Sequence, residues 1–431
     1  MMALQNIIVY SVDLADNIML GGYNELSLSG VALANQILFL INMISSGISG
    51  AMMVLISQYW GKRDIESIKR ITAIGFNIGL AFSLFMWVVV FFFSRNVLGL
   101  LTNNAAIIEE SVKYIRISCF TYALFMSSKL LLATLRSVET VRIGFIVSVG
   151  AFVVNVFLNY VFIYGNLGAP ELGIRGAAIA TLIARVGEII VLMIYVLFVD
   201  KKIHLKLKDF MVIDKQLLRR YTKIGLPVIA SDTLWGIAMA IQTSILGHLG
   251  GEAIAANSIA VTIFQIVTVV CYASGNAASV IVGKTIGEGR IDDVKQYSKT
   301  MQVLFGMIGV ATGLILFFLK DFILAFYTIS DSTKQLADMF MLVLCITVVG
   351  TSYECPTLTG IVRGGGDTKF VFYNDLIFMW LISIPSATLV AFVFKLSPVI
   401  VFICLKMDQV LKSFVGLIKV NKGNWIRDIT V

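Results

Sequence analysis

The chain has 431 residues, 58% of them hydrophobic and only 14% charged, with a formal net charge of +8. So few polar side chains cannot cover that much apolar surface in water, which excludes a soluble globular domain. The positive excess does not form a nucleic-acid patch either, because the basic residues alternate between successive loops. Crossing a bilayer takes roughly 17 to 25 apolar residues. Runs of that kind lie at 1–21, 30–58, 70–93, 114–135, 142–164, 174–199, 224–247, 253–283, 297–319, 335–361, 370–394 and 396–418. They contain Gly and Ser as membrane helices do and lack the ten-residue alternation of barrel strands. The fold class expected is all-α: a polytopic membrane protein with twelve transmembrane helices. No basic stretch or cleavage motif precedes the first run, so it does not read as a signal peptide.

One set of loops holds Lys62, Arg63, Lys69, Arg70, Arg136, Arg142, a block of basic residues between Lys201 and Lys223, Lys284, Arg290, Lys295, Lys299, Arg363 and Lys369. The tail residues Lys412, Lys419, Lys422 and Arg427 belong with them. The opposite set has Arg95, Lys113, Arg175, Lys320, Lys334 and Lys395. The positive-inside rule puts the richer side, and with it both termini, in the cytoplasm, with the plasma membrane as the expected location. Cys119, Cys271, Cys345, Cys355 and Cys404 all lie in apolar segments without ligand or redox spacing, and His204 and His248 are isolated. With no nucleophile, phosphate loop or histidine cluster, an enzyme is not expected.

Residues 200–223, DKKIHLKLKDFMVIDKQLLRRYTK, form the longest polar connection and fall near mid-chain. They separate an N-lobe (1–199, helices 1 to 6) from a C-lobe (224–418, helices 7 to 12), with 419–431 as a tail. The lobes repeat. GGYNELSLSGVALA and ISGAMMVLISQYWGKRDIESIKR in the first align with GHLGGEAIAANSIA and SGNAASVIVGKTIGEGRIDDVKQ in the second. Gly21 falls on Gly247, Ala34 on Ala260, Val54 on Val280, Gly61 on Gly287 and Lys69 on Lys295 at a single offset. LRSVET (135–140) echoes VRGGGDT (362–368). An even number of spans per repeat gives both lobes one orientation, hence a pseudo-two-fold axis along the membrane normal. That is an arrangement suited to alternating access.

Several stretches then carry a family likeness: SQYWGKRD, GNLGAPELGIRGAAIATLIARVGE (165–188), LPVIASDTLW (226–235) and GIVRGGGDTKF (360–370). Taken in order over nearly the whole chain, they resemble the MATE family of multidrug and toxic-compound extrusion transporters. The family's first helix is already under way at Met1, without its basic lead-in and early proline, so the true start is expected upstream. The resemblance implies that Asp16 is the first-helix acid that binds the coupling cation. Asn155 and Asn159 match the fifth-helix polar pair, and Thr181 a sixth-helix hydroxyl of the same site. One branch of the family carries an acid where this chain has Asn159.

The residue types themselves support such a site. A carboxylate within a span costs about 2.5–3.5 kcal/mol on insertion scales, so it usually faces a wet interior. Asp16 should therefore face the inside of its lobe. One carboxylate, two amide oxygens on one helical face and a hydroxyl make a hard-oxygen set, suited to Na+ as metal or to H+ carried on Asp16. The bland alternative is that the two Asn residues only bond neighbouring helices. Asp13, one turn earlier, is open to solvation near the helix start. Arg185 and Glu188, at i and i+3, are expected to form an intramembrane ion pair. In the C-lobe, Asp232 follows Pro227, Glu354 neighbours Pro356, and Asp375 lies in YNDLIFMW. Prolines free carbonyls and bend helices, so these acids are candidate cavity groups that would attract cations. Lys129 has no assigned role, and Lys406 and Asp408 could pair or snorkel.

The function expected is a Na+- or H+-coupled antiporter exporting small organic, mostly cationic amphipathic compounds, acting as a monomer in the lipid bilayer without other cofactor or nucleic acid. A flippase for lipid-linked oligosaccharide or lipid II shares the helical plan but should line its cavity with several Arg or Lys for phosphate. Lys129 and Arg185 are the clear mid-span cations here. A membrane sensor or receptor would need a soluble output domain, for which the inner loops are too short.

Overall fold

A computed structural model describes residues 1–212, 214–325, 327 and 329–430, apart from the side chain of Asp13; whatever role Asp13 has lies outside the described residues. Among those residues the chain is helical throughout, with no strands. Its contacts group into two units, Met1–Ile56 with Asp64–Lys223, and Ser57–Arg63 with Ile224 onward.

The first unit contains α1 (Met2–Tyr23), α2 (Glu25–Gly61, whose last turn groups with the second unit), α3 (Ile65–Gly99), α4 (Ala105–Ser118), α5 (Thr121–Ser137), α6 (Arg142–Tyr164) and α7 (Ile174–Ile194). Helices α4 and α5 meet at a 54° bend and serve together as one span. No proline causes this bend. Thr121 Oγ1 donates to the Ser118 carbonyl at 2.6 Å and Cys119 Sγ to the Arg116 carbonyl at 3.3 Å. Side chains thereby take carbonyls that the next turn would otherwise use, a recognised cause of helix bending. Sequence spacing alone gave a single run at 114–135 because hydropathy does not register such a bend. The core of this unit is built from Leu20, Ile37, Ile41, Val90, Ile115, Tyr122 and Ala178.

The second unit contains α8 (Lys215–Gly247, from Ile224), α9 (Gly251–Gly287), α10 (Ile291–Ala325) and α11 (Asp331–Cys355). It continues with α12 (Thr368–Asp375), α13 (Ile384–Thr388) and α14 (Pro398–Lys422). Wide π-helical turns follow α11 at Pro356–Val362, link α12 to α13 at Leu376–Ser383 and follow α13 at Leu389–Val393. Thr368–Val393 therefore runs as one span. Pro356 opens the first of these turns, where its missing N–H is tolerated by a looser hydrogen-bond pattern. Phe340 and Phe402 stack with ring centroids 4.2 Å apart at the centre of this unit's core.

Each unit thus supplies six spans. Among the described residues nine helices are long and apolar enough to cross a membrane alone, and the α4 and α5 pair makes ten. The remaining two are α1, carrying Gln5, Asn6, Asp13, Asp16 and Asn17, and α14, carrying Lys406, Asp408, Lys412 and Lys419. The helices with the weakest membrane signature are those with the most chemistry. The protein is an all-α, multi-pass membrane protein.

The polar connection at 200–223 is fastened to α3. Asn77 Nδ2 donates to the Phe210 carbonyl at 2.8 Å, Phe76 packs on Phe210, and Lys69 and Arg70 lie 3.7 Å from Asp209 and Asp214. The chain end is also held. Trp425 is 1% exposed, donates to the Val420 carbonyl at 3.0 Å and lies so close to Gly365 that a Cβ there would come within 2.2 Å of the indole. Buried Asp367 forms ion pairs with Lys419 at 2.9 Å and with Arg427 at 3.0 Å. Lys62 pairs with Asp428 at 3.0 Å. Burial alone would raise the Asp428 carboxyl, but hydrogen bonds from Thr430 and Lys62 outweigh it and hold it below the usual carboxylate range. Truncating a buried Trp to Ala costs about 3–5 kcal/mol. Trp425→Ala is therefore expected to release residues 424–430, read as faster cleavage of the tail in limited proteolysis while the helices stay intact. Unchanged cleavage would contradict this anchoring.

Candidate functional site

Asp16 sits on α1, Asn155 and Asn159 on α6, and Thr181 on α7, all in the first unit. The packing of α1 and α7 against α6 brings them together. Asn155 and Asn159 share a face because they are one helical turn apart. Asn159 Nδ2 donates to Asp16 Oδ1 in a short contact and to Asn155 Oδ1 at 3.2 Å, and Asn155 Nδ2 donates to Thr181 Oγ1 at 3.2 Å. The four side chains thus form one hydrogen-bonded chain across three helices. Asp16 is 8% exposed, Asn155 1% and Asn159 0%, so the carboxylate is held away from both water and lipid.

The satisfaction of this chain is incomplete in one place. Among the described residues, Asn159 Oδ1 is buried and accepts no hydrogen bond. A buried amide oxygen normally finds a donor, and this one belongs to the residue that touches Asp16. Carboxylate, amide and hydroxyl oxygens suit a small hard cation, and the same oxygens could accept from a protonated carboxyl. The residues fit either Na+ or H+ chemistry.

Beside them lies a cavity of about 30 Å³ lined by Asp16, Asn35, Tyr114, Thr121, Thr181 and Arg185, among others. It is lined by both polar and apolar side chains and has room for an ordered water beside Asp16. Arg185 Nη1 pairs with Glu188 Oε2 at 2.7 Å, as the i, i+3 spacing leads one to expect. Its guanidinium also lies 5.2 Å from the Phe125 ring, and Lys129 Nζ lies 5.6 Å from the same ring. Lys129 donates to the Asn42 carbonyl at 3.1 Å, to Asn42 Oδ1 and to Ser46 Oγ at 2.7 Å. The i, i+4 spacing of Asn42 and Ser46 in an apolar run was a readable signal for this pairing. Asn35, Tyr114 and Thr121 come from three separate helices and had no such signal.

The second unit treats its acids differently. Asp232 pairs with Arg363 at 2.9 Å. Asp375 accepts from Ser231 Oγ in a short contact and pairs with Lys412 at 3.0 Å, and Lys412 also reaches Asp408 at 3.2 Å. Among the described residues Glu354 makes no side-chain hydrogen bond or ion pair. Two readings from sequence need correction. Lys412, counted with the cytoplasmic tail, is 2% exposed inside α14, and Arg363, counted with a loop, is 8% exposed. The positive-inside rule reads position along the chain and not depth, and both cations are buried because carboxylates compensate them. Nor do Lys406 and Asp408 pair. Lys406 Nζ is 3.4 Å from Gln242 Oε1 and lies over the rings of Phe264 and Phe402, while Asp408 turns to Lys412.

Comparison with known proteins agrees with this architecture. The MatE family model matches residues 2–161 and again 227–389, one match in each half of the chain. The chain is 28% identical over 383 residues to "Uncharacterized transporter YisQ" of Bacillus subtilis, covering 87% of this chain and 82% of that protein. It is 25% identical over 421 residues to "Probable multidrug resistance protein NorM" of Listeria monocytogenes, covering 96% and 91%. "Multidrug resistance protein MdtK" of Yersinia enterocolitica is 22% identical over 88% of this chain and 83% of its own. Among solved structures, one described as MATE in complex with MaL6 superposes with a TM-score of 0.87 at 19% identity over 98% of this chain and 94% of its own. A MOP superfamily transporter from Pyrococcus furiosus, described as having a binding pocket of reverse polarity, superposes equally well at 19% identity over 98% and 93%.

Proposed function

The chain belongs to the MatE family, and from that premise we propose that it is a multidrug efflux antiporter. In this reading, Na+ or H+ moving inward through the Asp16 site drives organic, mostly cationic amphipathic compounds outward. The protein is a transporter and not an enzyme. Relatives named as multidrug resistance proteins support export of small organic molecules. The observation that carries the coupling is the buried chain from Asp16 through Asn159 and Asn155 to Thr181, with the unsatisfied Asn159 oxygen beside the carboxylate.

In the proposed cycle the cation or proton neutralises Asp16. A neutral and a charged Asp16 prefer different helix packings, because a bare carboxylate in hydrocarbon surroundings is costly. Ion binding therefore shifts the balance between substrate-binding and substrate-released conformations, by an amount set by its differential affinity for the two. In this reading the transporter lies in the plasma membrane with both termini cytoplasmic, which the bias of basic residues between loops supports.

A flippase of similar helical plan is not favoured. Of the buried cations of the second unit, Arg363 and Lys412 are already matched by Asp232, Asp375 and Asp408, and Lys406 is engaged by Gln242 and the rings of Phe264 and Phe402, which leaves them poorly suited to clasp a lipid phosphate. Reconstitution in liposomes with a fluorescent organic cation is the test, with Na+ and pH gradients imposed separately. Efflux driven by at least one gradient is expected. Transport indifferent to both would overturn the coupling.

A further inference from the structure

The connection at 200–223 holds eight Lys or Arg residues against three Asp. All three acids are turned to structural tasks. Asp200 is 7% exposed and accepts from the Ile203 N–H at 2.8 Å. Asp209 accepts from the Lys206 N–H at 2.9 Å and lies beside Lys69. Asp214 accepts from the N–H groups of Gln216 and Leu217 at 2.8 Å and 3.2 Å, which caps α8, and lies beside Arg70. Ile203 and Leu205 are buried, and Phe210 packs on Phe76 with ring centroids 4.8 Å apart. The inner side of this strap is therefore satisfied.

Its outer side is a different surface. Lys201, Lys206 and Lys208 are exposed, and among the described residues none of them forms an ion pair. Set among them, Leu207 is 64% exposed, Met211 85% and Val212 46%. Large apolar side chains turned outward between ammonium groups are what an interfacial segment presents. The apolar groups enter the region where headgroups meet acyl chains, and the lysines reach back to the phosphates.

The depth of the strap fits this. Asp209 lies at the level of Lys69, and Phe210 at that of Asn77, about 12 Å farther along α3. Helix α3 has no charged residue between Arg70 and Arg95, so it enters the bilayer along this stretch. Headgroup layers add roughly 5–8 Å on each side of the hydrocarbon core. Residues 207–211 thus lie across the headgroup boundary.

We propose that residues 201–212 form a binding surface for anionic phospholipids, in which Lys206 and Lys208 hold the headgroup phosphate while Leu207 and Met211 lie among the acyl chains. The exposed charge of the strap is complementary to a phosphodiester anion. A zwitterionic headgroup brings its own cation against the same lysines and binds less tightly.

The purified full chain in detergent is titrated with phosphatidylglycerol or with phosphatidylcholine of the same acyl chains, and retained lipid is read by native mass spectrometry. Phosphatidylglycerol is expected to bind more tightly. A basic side chain at a membrane surface contributes about a fivefold factor in affinity. Lys206→Gln combined with Lys208→Gln is therefore expected to weaken phosphatidylglycerol about twenty-five-fold and to leave phosphatidylcholine unchanged. Lys206→Arg with Lys208→Arg keeps the charge and should keep the affinity, and Met211→Ser should weaken both lipids. Lys295→Gln with Lys299→Gln, an exposed basic pair on α10, is the reference and should lose little. An equal loss in the reference would overturn the proposal, leaving the strap lysines as part of a diffuse charge that only sets topology. Equal binding of the two lipids by the native chain would also overturn it. So would displacement of phosphatidylglycerol by a similar concentration of inorganic phosphate, which would mean a site for free anions and not for lipid.

Discussion

Asp16→Asn is expected to reduce ion-driven efflux about a hundredfold while leaving the protein folded. The amide keeps the shape of the carboxylate and can still meet Asn159, which contacts it in the native chain. What it loses is charge. An ionised carboxylate in a span costs about 2.5–3.5 kcal/mol more than a neutral group. A cost of that order is what ion binding at this position relieves, and so what it contributes to the conformational balance. At about 1.4 kcal/mol per factor of ten, it converts to roughly two orders of magnitude. The measurement is the initial rate of dye efflux in liposomes under the driving gradient, compared with equilibrium dye binding, which should change little. Efflux within a factor of three of wild type would remove Asp16 from the coupling role.

Lys412→Met is expected to be the most destabilising single substitution in the second unit. The ammonium is 2% exposed and touches two carboxylates, Asp375 at 3.0 Å and Asp408 at 3.2 Å. Removing one partner of a buried pair typically costs about 3–5 kcal/mol, because the remaining charge is left buried and uncompensated. Here two charges would be left. Thermal unfolding in detergent should show a large loss, and adding Asp408→Asn should recover part of it, since the double variant removes one of the stranded anions. A single variant as stable as wild type would mean that water already solvates this network.

Much of the plan was legible because membrane helices follow a simple physical rule. Hydrocarbon demands long apolar runs with internally bonded backbone, so the spans could be placed from composition alone. The two-fold repetition could likewise be read from residue matches such as Gly61 with Gly287. The Arg185 and Glu188 pair was also local, set by one helical turn. The 54° bend between α4 and α5 was not legible, since it depends on where Thr121 and Cys119 direct their side-chain hydrogen bonds.

Sequence by itself determined that this is a helical membrane protein of two repeated halves, with costly carboxylates at 16, 232, 354 and 375. Only the tertiary structure decided their company. It gave Asp16 the amides of α6, and it set Arg363 against Asp232 and Lys412 against Asp375. The physical reason is that hydropathy and spacing act along one helix, whereas the pairing of a charge depends on which other helix packs against it, often more than a hundred residues away.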